Sequence, residues 1–431
     1  MEPHLDGDLG VDVLVVGGGI QGLYIAREVA RSYRVCVVAD PAVATGTLES
    51  AGYLSAGYDG TDANRAQPAR RAAGWWRLWA ESNAVPFDAD PAWYLVDPQD
   101  LVTRIRYWSD ATLGATQADA MPLEFAGGSL EGSTPFRLDT DLVINPATLL
   151  TRLRHGIEDV CITGEVVRFG LVSDDAIDHV QVQVGEQVVP IVPRFVVLAA
   201  GVGNADLLSK LGARFSDQAK RKASKELVDT CQAVRCQYEL CMRGRDLPIL
   251  NGHFGGLTIA THTRADRDER VWIVTPPVDD SRTVLGQANL RFELGVEPAD
   301  VSQFVSRLRA ASPMIDEMVG DLEWSVYASR RAQHPSLAVG DTSAVAHPVP
   351  AKLEKFGLES FLAVWPSHLA YAQFVGDAVA ERIAEALGAP GDFSDGPQPS
   401  DLASAPVELQ ARWDRDDFPW QGWDDFSSAF S

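Results

Sequence analysis

Residues 11–40, VDVLVVGGGIQGLYIAREVARSYRVCVVAD, decide the fold. The run 11–16 is short and apolar, GGGIQG (17–22) is a glycine turn, LYIAREVARSY (23–33) repeats apolar residues at helical spacing, and RVCVVA (34–39) is apolar again. That order predicts a strand, a tight turn, a helix and a second strand. Parallel strands joined by a helix require a right-handed crossover with helices on the sheet faces, which is the α/β doubly wound class. Gly17 then lets the strand turn, Gly19 lets a pyrophosphate approach the backbone, and Gly22 lets helix and strand pack closely. The helix N-terminus offers free N–H groups and a positive dipole end to such phosphates. Asp40 closes the second strand about 20 residues on, where a carboxylate accepts hydrogen bonds from an adenosine ribose. The plainer alternative is a crossover without ligand, with Asp40 starting a turn before Pro41.

The remaining composition narrows the class. The chain has 431 residues, 46% of them hydrophobic, with 60 acidic against 37 basic side chains for a formal charge of −23. At ~150 residues per domain this suits two or three domains. So apolar a chain excludes general disorder, and a strongly negative field with scattered Lys and Arg argues against a nucleic-acid or anionic-membrane partner. No apolar run approaches the ~18 residues of a spanning helix, so no membrane span is expected. The first ten residues, MEPHLDGDLG, are acidic and lack the apolar stretch of a signal peptide, and the five cysteines are few and odd in number, so the expected compartment is the reducing cytoplasm. Cys231, Cys236 and Cys241 stand five residues apart, which matches no usual zinc pair; they read as buried strand cysteines, and no metal is expected.

Farther along, 69–82 reads as a helix with an aromatic face, 98–116 and 146–155 as helices, and 160–169 with 179–192 as a strand pair. PRFVVLAAGVGNADLLSKLGA (193–213) repeats the theme of strand, small-residue turn and helix, a return to the first domain. Segments 227–241, 257–261, 271–275 and 283–286 are β-rich and separated by Gly, Pro and Asp turns, as in an antiparallel or mixed sheet. A helix at 299–311, a strand at 323–328 and a long amphipathic helix from Pro366 follow. Beyond Gly388 the chain becomes a tail that mixes aromatics with acids.

Four segments together resemble the D-amino acid oxidase superfamily of flavoproteins, in particular its glycerol-3-phosphate-dehydrogenase-like and amine- or hydroxyacid-oxidising branch. They are the fingerprint, TGTLESAGYLSAGY (45–58), VVLAAGVGNADLL (196–208) and VWPSHLAYAQFVGDAVAERI (364–383). The resemblance implies a discontinuous Rossmann-like FAD-binding domain (1–83, 146–225 and 335–390), an α+β substrate domain on a mixed or antiparallel sheet (84–145 and 226–334) and a C-terminal tail (391–431). It also implies FAD, held by Gly17, Gly19 and Gly22 at the diphosphate, Asp40 at the ribose, Thr47 and Ser50 at the phosphate and ring edge, and the backbone of Val166 at the adenine. Gly201, Ser367, His368 and Leu369 would complete that site, although this chain carries WPSH where the family often has glycines. Read alone, Thr47 and Ser50 are equally loop caps, and His368 a helix-start residue. No cysteine matches an expected ring position, so the flavin is expected to be non-covalent.

On the substrate side, YASRR (327–331) resembles the strand from which an arginine clamps a carboxylate or phosphate, and Arg330 is preferred to Arg331 for that role. Pairing of either arginine with a surface carboxylate of this acidic protein is the alternative. Tyr327 is a further polar candidate. His253, in LPILNGHFGG (247–256), stands where a base for an alcohol substrate would lie, or is a buried hydrogen-bonded histidine; His262 is its weaker rival. The implied chemistry is transfer of a hydride equivalent from a carbon beside an amine or hydroxyl of a small amine, amino acid or hydroxy acid, with dioxygen or another acceptor reoxidising the flavin and natural-product tailoring as the favoured setting. Three other readings share the fingerprint: an NAD(P)H-dependent flavin monooxygenase, whose Gly-Asp segment VGDTSAVAHP (339–348) superficially resembles; a simple NAD(P) dehydrogenase, which would not return twice to the nucleotide domain; and a flavoprotein subunit that docks through 413–430. For that last segment, a tail folded back over its own subunit to cap a hydrophobic groove is the favoured reading. Oligomeric state is not legible.

Overall fold

The strand Leu9–Val16 (β1) is buried along nearly its whole length because it lies between two parallel neighbours in a sheet covered on both faces. In the computed structural model, which describes residues 8–40, 46–60, 63–88, 91–119, 121–123, 127–264, 266–276, 282–285, 298–333, 358, 360–365, 369–392, 397–403 and 408–430, β1 centres a seven-stranded sheet. Its order is β10 (Glu165–Ser173), β11 (Ala176–Val184), β12 (Gln187–Leu198), β1, β2 (Val35–Ala39) and β9 (Cys161–Thr163), with β19 (Phe361–Ala363) also on β12. One long strand serves two purposes: β12 pairs antiparallel with β11, then runs parallel to β1 and β19. The fold is the mixed α/β arrangement expected from the first forty residues.

A ten-stranded sheet forms the second unit. Its order is β20 (Gln421–Gly422), β18 (Glu323–Gln333), β13 (Ala233–Gly244), β16 (Glu269–Thr275), β15 (Leu257–Arg264), β14 (Gly252–Phe254), β5 (Ala92–Val96), β7 (Thr134–Leu138) and β6 (Ala115–Gln117), with β17 (Arg282–Leu285) on β13. A small sheet of β3 (Tyr53–Leu54), β8 (Leu142–Ile144) and β4 (Phe87–Asp88) lies between the two.

Strand alternation divides the large sheet into two faces. Leu240, Met242, Trp272, Val274 and Trp324 pack with residues of the helices Pro298–Ala311, Pro313–Met318 and Trp423–Ala429. Cys241, Ala260, Val271, Ile273 and Tyr327 face the other way and join the core of the nucleotide domain. Register therefore assigns Tyr327 and its partner Glu239, His262 opposite Val271, Thr258 opposite Thr275, and His253 opposite Thr258 to the nucleotide side.

Four local expectations need correction, the first being the helix expected at 98–116, which spans Leu101–Asp110 only, while Ala115–Gln117 forms a strand on β7. Residues 227–231 do not open a strand: Cys231 ends the helix Gln218–Cys231, and β13 starts at Ala233, so only Cys236 and Cys241 of the three share a strand. The polar run QAKRKASKELVD is helical, capped by the Asp217 carboxylate accepting from Ala219 N–H, and an apolar tail end read in isolation resembles β structure. The aromatic helix begins at Ala63 and contains Pro68, because packing of its Trp75–Trp76–Trp79 face outweighs the proline as a boundary. Finally, the helix of the last flavin-like segment runs Ala372–Leu387 after a 3-10 turn at Leu369–Tyr371, and Pro366 lies outside the described residues.

Candidate active site

Each fingerprint glycine is constrained differently. Gly17 has φ +129°, and a Cβ there would stand 2.4 Å from Ala199 O; one on Gly22 would stand 2.0 Å from Gly17 O. Backbone packing thus forbids side chains at both. Among the described residues, a Cβ at Gly19 meets only Thr47 Oγ1, at 3.4 Å, and one at Gly201 (φ +57°) meets nothing within 4 Å, so the described packing leaves room at these two positions. The helix Ile20–Val29 has no side-chain cap and no acid in its first turn; its Ile20 N–H donates to Thr47 Oγ1 at 3.2 Å. A helix start with no acid and no N-cap side chain, beside a glycine turn and with half-buried Asp40 just beyond β2, fits the diphosphate and ribose of a dinucleotide. The helix Ala372–Leu387 likewise starts without acid or side-chain cap, just after Leu369. Val166 is buried in β10, and its carbonyl accepts from Lys210 Nζ at 2.9 Å. Ser367 and His368 lie outside the described residues, as does 339–348.

Residues 46–56 form the seam of the molecule. Thr47 reaches the fingerprint helix; Leu48 O accepts from Arg412 N–H (2.9 Å), Glu49 O from Tyr327 O–H (2.9 Å), Ala51 O from His262 Nε2–H (2.8 Å) and Gly52 O from Ile144 N–H (3.0 Å). Ser50 Oγ caps Gly52 N–H at 3.1 Å. Since Ala51 O only accepts, His262 carries its proton on Nε2, and burial pushes its pKa down to about 4 despite that bond. Burial thus favours the neutral form of His262, which is tied into the fold through its Nε2–H.

The expected substrate residues lie against this seam. Arg330 is paired, as its alternative reading allowed, but with a buried carboxylate: its N–H donates to Glu49 Oε2 at 3.1 Å and its Nη2 stands 3.7 Å from Glu49 Oε1. Burial raises the Glu49 pKa and Arg330 opposes that rise. Tyr327 spends its hydroxyl on the Glu49 carbonyl and is 4% exposed, so it positions the loop. Beside them, fully buried Glu239 accepts from Ser329 Oγ, Thr275 Oγ1 and Gln237 Nε2.

His253 belongs to a second cluster. Its Nε2 stands 3.6 Å from Asp141 Oδ2, its Nδ1 is 3.2 Å from Thr258 Oγ1, and its ring is flanked by Tyr53 and Tyr94. Asp141, buried at 2%, also accepts from Tyr53 O–H and Ala56 N–H, both at 2.6 Å. Burial by itself disfavours the imidazolium, but Asp141 and Asp59 outweigh it and the His253 pKa is raised. Burial and Asp141 push the Tyr53 hydroxyl well above its usual range. Sequence reasoning missed Asp141, Tyr53 and Glu49. The last two lie inside the segment TGTLESAGYLSAGY, where their polarity was the available signal, whereas Asp141 sits in no motif.

Comparison with known proteins now bears on this geometry. The family model described as FAD dependent oxidoreductase (DAO) matches residues 12–347, and the chain belongs to that family. It is an FAD-dependent oxidoreductase. A search of curated proteins finds no match. Among solved structures, the chain is similar to an FAD dependent oxidoreductase from Pseudomonas aeruginosa (20% identity, 95% of this chain and 99% of that one, TM-score 0.66). It is similar also to glycine oxidase from Geobacillus kaustophilus (15%, 93% and 100%, TM-score 0.61) and L-proline dehydrogenase from P. horikoshii (14%, 88% and 94%, TM-score 0.62). At these identities the likeness shows a shared fold. Among the described residues no helix is long and apolar enough to cross a membrane, and no cluster of three His, Cys, Asp or Glu is arranged for a metal.

Proposed function

We propose that this enzyme oxidises the C–N bond of a small amine or amino acid, with the residues above as its site and the division 1–83, 146–225 and 335–390 against 84–145 and 226–334 as its domains. The carrying observation is the enclosure of His253, whose buried Nε2 faces Asp141, whose Nδ1 meets Thr258 Oγ1 and whose ring is flanked by Tyr53 and Tyr94. An alcohol needs a base that can reach its proton, and the His253 ring, although Asp141 raises its proton affinity, is enclosed by protein at both nitrogens. An amine reacts once it is deprotonated in solution, without such a base. The names of two structural neighbours, glycine oxidase and L-proline dehydrogenase, point to the same class of substrate.

FAD, when bound, supplies the acceptor for the hydride equivalent and hands its electrons to dioxygen or another oxidant. Gly19 and the first turn of Ile20–Val29 would hold its diphosphate, Asp40 its ribose, and Thr47 and Ser50 the ring side. Arg330 orients an anionic group on the substrate, with Glu49 holding the guanidinium in place between turnovers. Non-covalent binding is supported by the cysteines: Cys36 and Cys241 are fully buried and their thiols are pushed up by that burial, and Cys161 rises to about 11 for the same reason. Heat denaturation tests this part, since the yellow colour should pass to the supernatant. Anaerobic mixing with matched amino acids and hydroxy acids tests the bond: bleaching by the amino acid alone supports the proposal, and bleaching by the hydroxy acid alone sinks it.

A further inference from the structure

The C-terminal segment folds back around the edge of the ten-stranded sheet, and its two ends grip opposite faces. At the edge, β20 pairs with the start of β18, Gln421 opposite Trp324 and Gly422 opposite Glu323. On the helix-covered face, Trp423 and Phe426 pack on Trp324 at ring separations of 5.1 and 5.8 Å. On the nucleotide face the same segment meets residues 48–51. Arg412 N–H donates to Leu48 O at 2.9 Å. Trp413 stacks on His262 (4.5 Å, 24°), the residue that holds Ala51 O. Phe418 lies edge-on to Tyr327 (5.9 Å, 76°), the residue that holds Glu49 O. The link Asp414–Arg264 (2.9 Å) fixes the turn that carries Arg412 and Trp413. Three carbonyls of the loop are therefore held either by the tail or by a side chain whose free face the tail covers.

We propose that Arg412–Phe418 is a positioning strap for the flavin loop, so that the last twenty residues set how tightly and in what environment FAD is held. This rests on the proposed reading of Thr47 and Ser50 as flavin contacts. The physical reason is preorganisation: a loop whose carbonyls are fixed from outside keeps its remaining polar groups aimed at a ligand without ordering cost at binding. Trp413 suits the task by its ring face, because its indole N–H, 1% exposed, has no hydrogen-bond partner among the described residues. A tryptophan placed for its polar edge would have found one.

A pair of variants isolates one bond. Arg412→Pro removes the N–H that reaches Leu48 O, whereas Arg412→Ala keeps it; Ala411 is already extended (φ −60°, ψ 152°), as a residue before proline must be, and position 412 opens a 3-10 turn. Titration of the full-length apoprotein with FAD should give R412P a Kd about tenfold above that of R412A, the scale of one lost buried hydrogen bond, with a changed visible flavin spectrum and little change in apoprotein melting. Phe426→Leu, on the far face, should lower melting without moving the Kd. Equal Kd values for R412P and R412A, or a Kd shift in F426L as large as that in R412P, would overturn the strap. Thr47→Val separates the two layers of the argument. A raised Kd in T47V with none in R412P removes the strap alone, and an unchanged Kd in T47V removes the loop reading beneath it.

Discussion

The two large sheets bury their cores in opposite styles. Around β1 the interior is largely apolar, aliphatic and aromatic, and the buried carboxylate of Asp12 is tied down by Arg194 (2.7 Å) and by the N–H groups of Arg34 (3.0 Å) and Gly391 (2.7 Å). The face of the ten-stranded sheet turned toward it buries Gln237, Glu239, His253, His262 and Ser329. In the proposed site the first sheet would work through its backbone, whose turns must stay bare, and the second through side chains held at fixed positions. Polar groups are costly to bury without partners, and on this face Glu239 and His262 are hydrogen-bonded within the fold.

Substitutions should separate the two styles, and the largest effect belongs to the bare turn. Gly22→Ala drives a methyl against the Gly17 carbonyl, 2.0 Å away, and should cost on the order of 3 kcal/mol in urea unfolding, with loss of soluble holoprotein. Gly19→Leu, where packing is open, should instead leave folding intact and abolish bound flavin. A Gly19 variant that stays yellow would contradict the diphosphate role.

Asp141→Asn attacks the side-chain style. It replaces one of the two oxygens that accept from Tyr53 and Ala56 with a donor, removes the charge facing His253, and should cost about 2 kcal/mol. The pH dependence carries a sign. The folded His253 pKa lies above its ordinary 6.5, so this pair stabilises most below that pH and its contribution fades as pH rises through the raised value. Stability measured from pH 6 upward should therefore fall in the parent and flatten in D141N; identical slopes would remove the pair as the cause.

Arg330→Met should have the smallest effect on the fold and a selective one on turnover. Its flavin spectrum should be unchanged, and KM for a carboxylated substrate should rise about tenfold, as for one charged hydrogen bond, with that for an uncharged analogue unmoved. An unchanged KM would leave Arg330 solely as the partner of Glu49.

What was legible in the sequence follows the same division. The crossover of 11–40 is local: glycines, periodicity and a terminal Asp lie within one short span, and the backbone site can be read from them. The side-chain site is assembled across the chain. Glu49 meets Tyr327 and Arg330, Tyr53 meets Asp141, and Ala51 meets His262, contacts that no spacing rule encodes. His253 was visible as a polar residue in a glycine-bounded loop, yet its protonation depends on Asp141, a residue in an unremarkable stretch. The tail folds back over its own subunit, the favoured reading of its sequence, but where it lands has no local signal because its strand of two residues exists only by pairing with β18.

The most direct test of the account is the anaerobic visible spectrum of the purified protein mixed with an amino acid and, separately, with its 2-hydroxy counterpart. The account predicts a flavin band that the amino acid bleaches and the hydroxy acid leaves intact. Bleaching by the hydroxy acid with the amino acid inert, or a protein that neither carries nor takes up FAD, would contradict it.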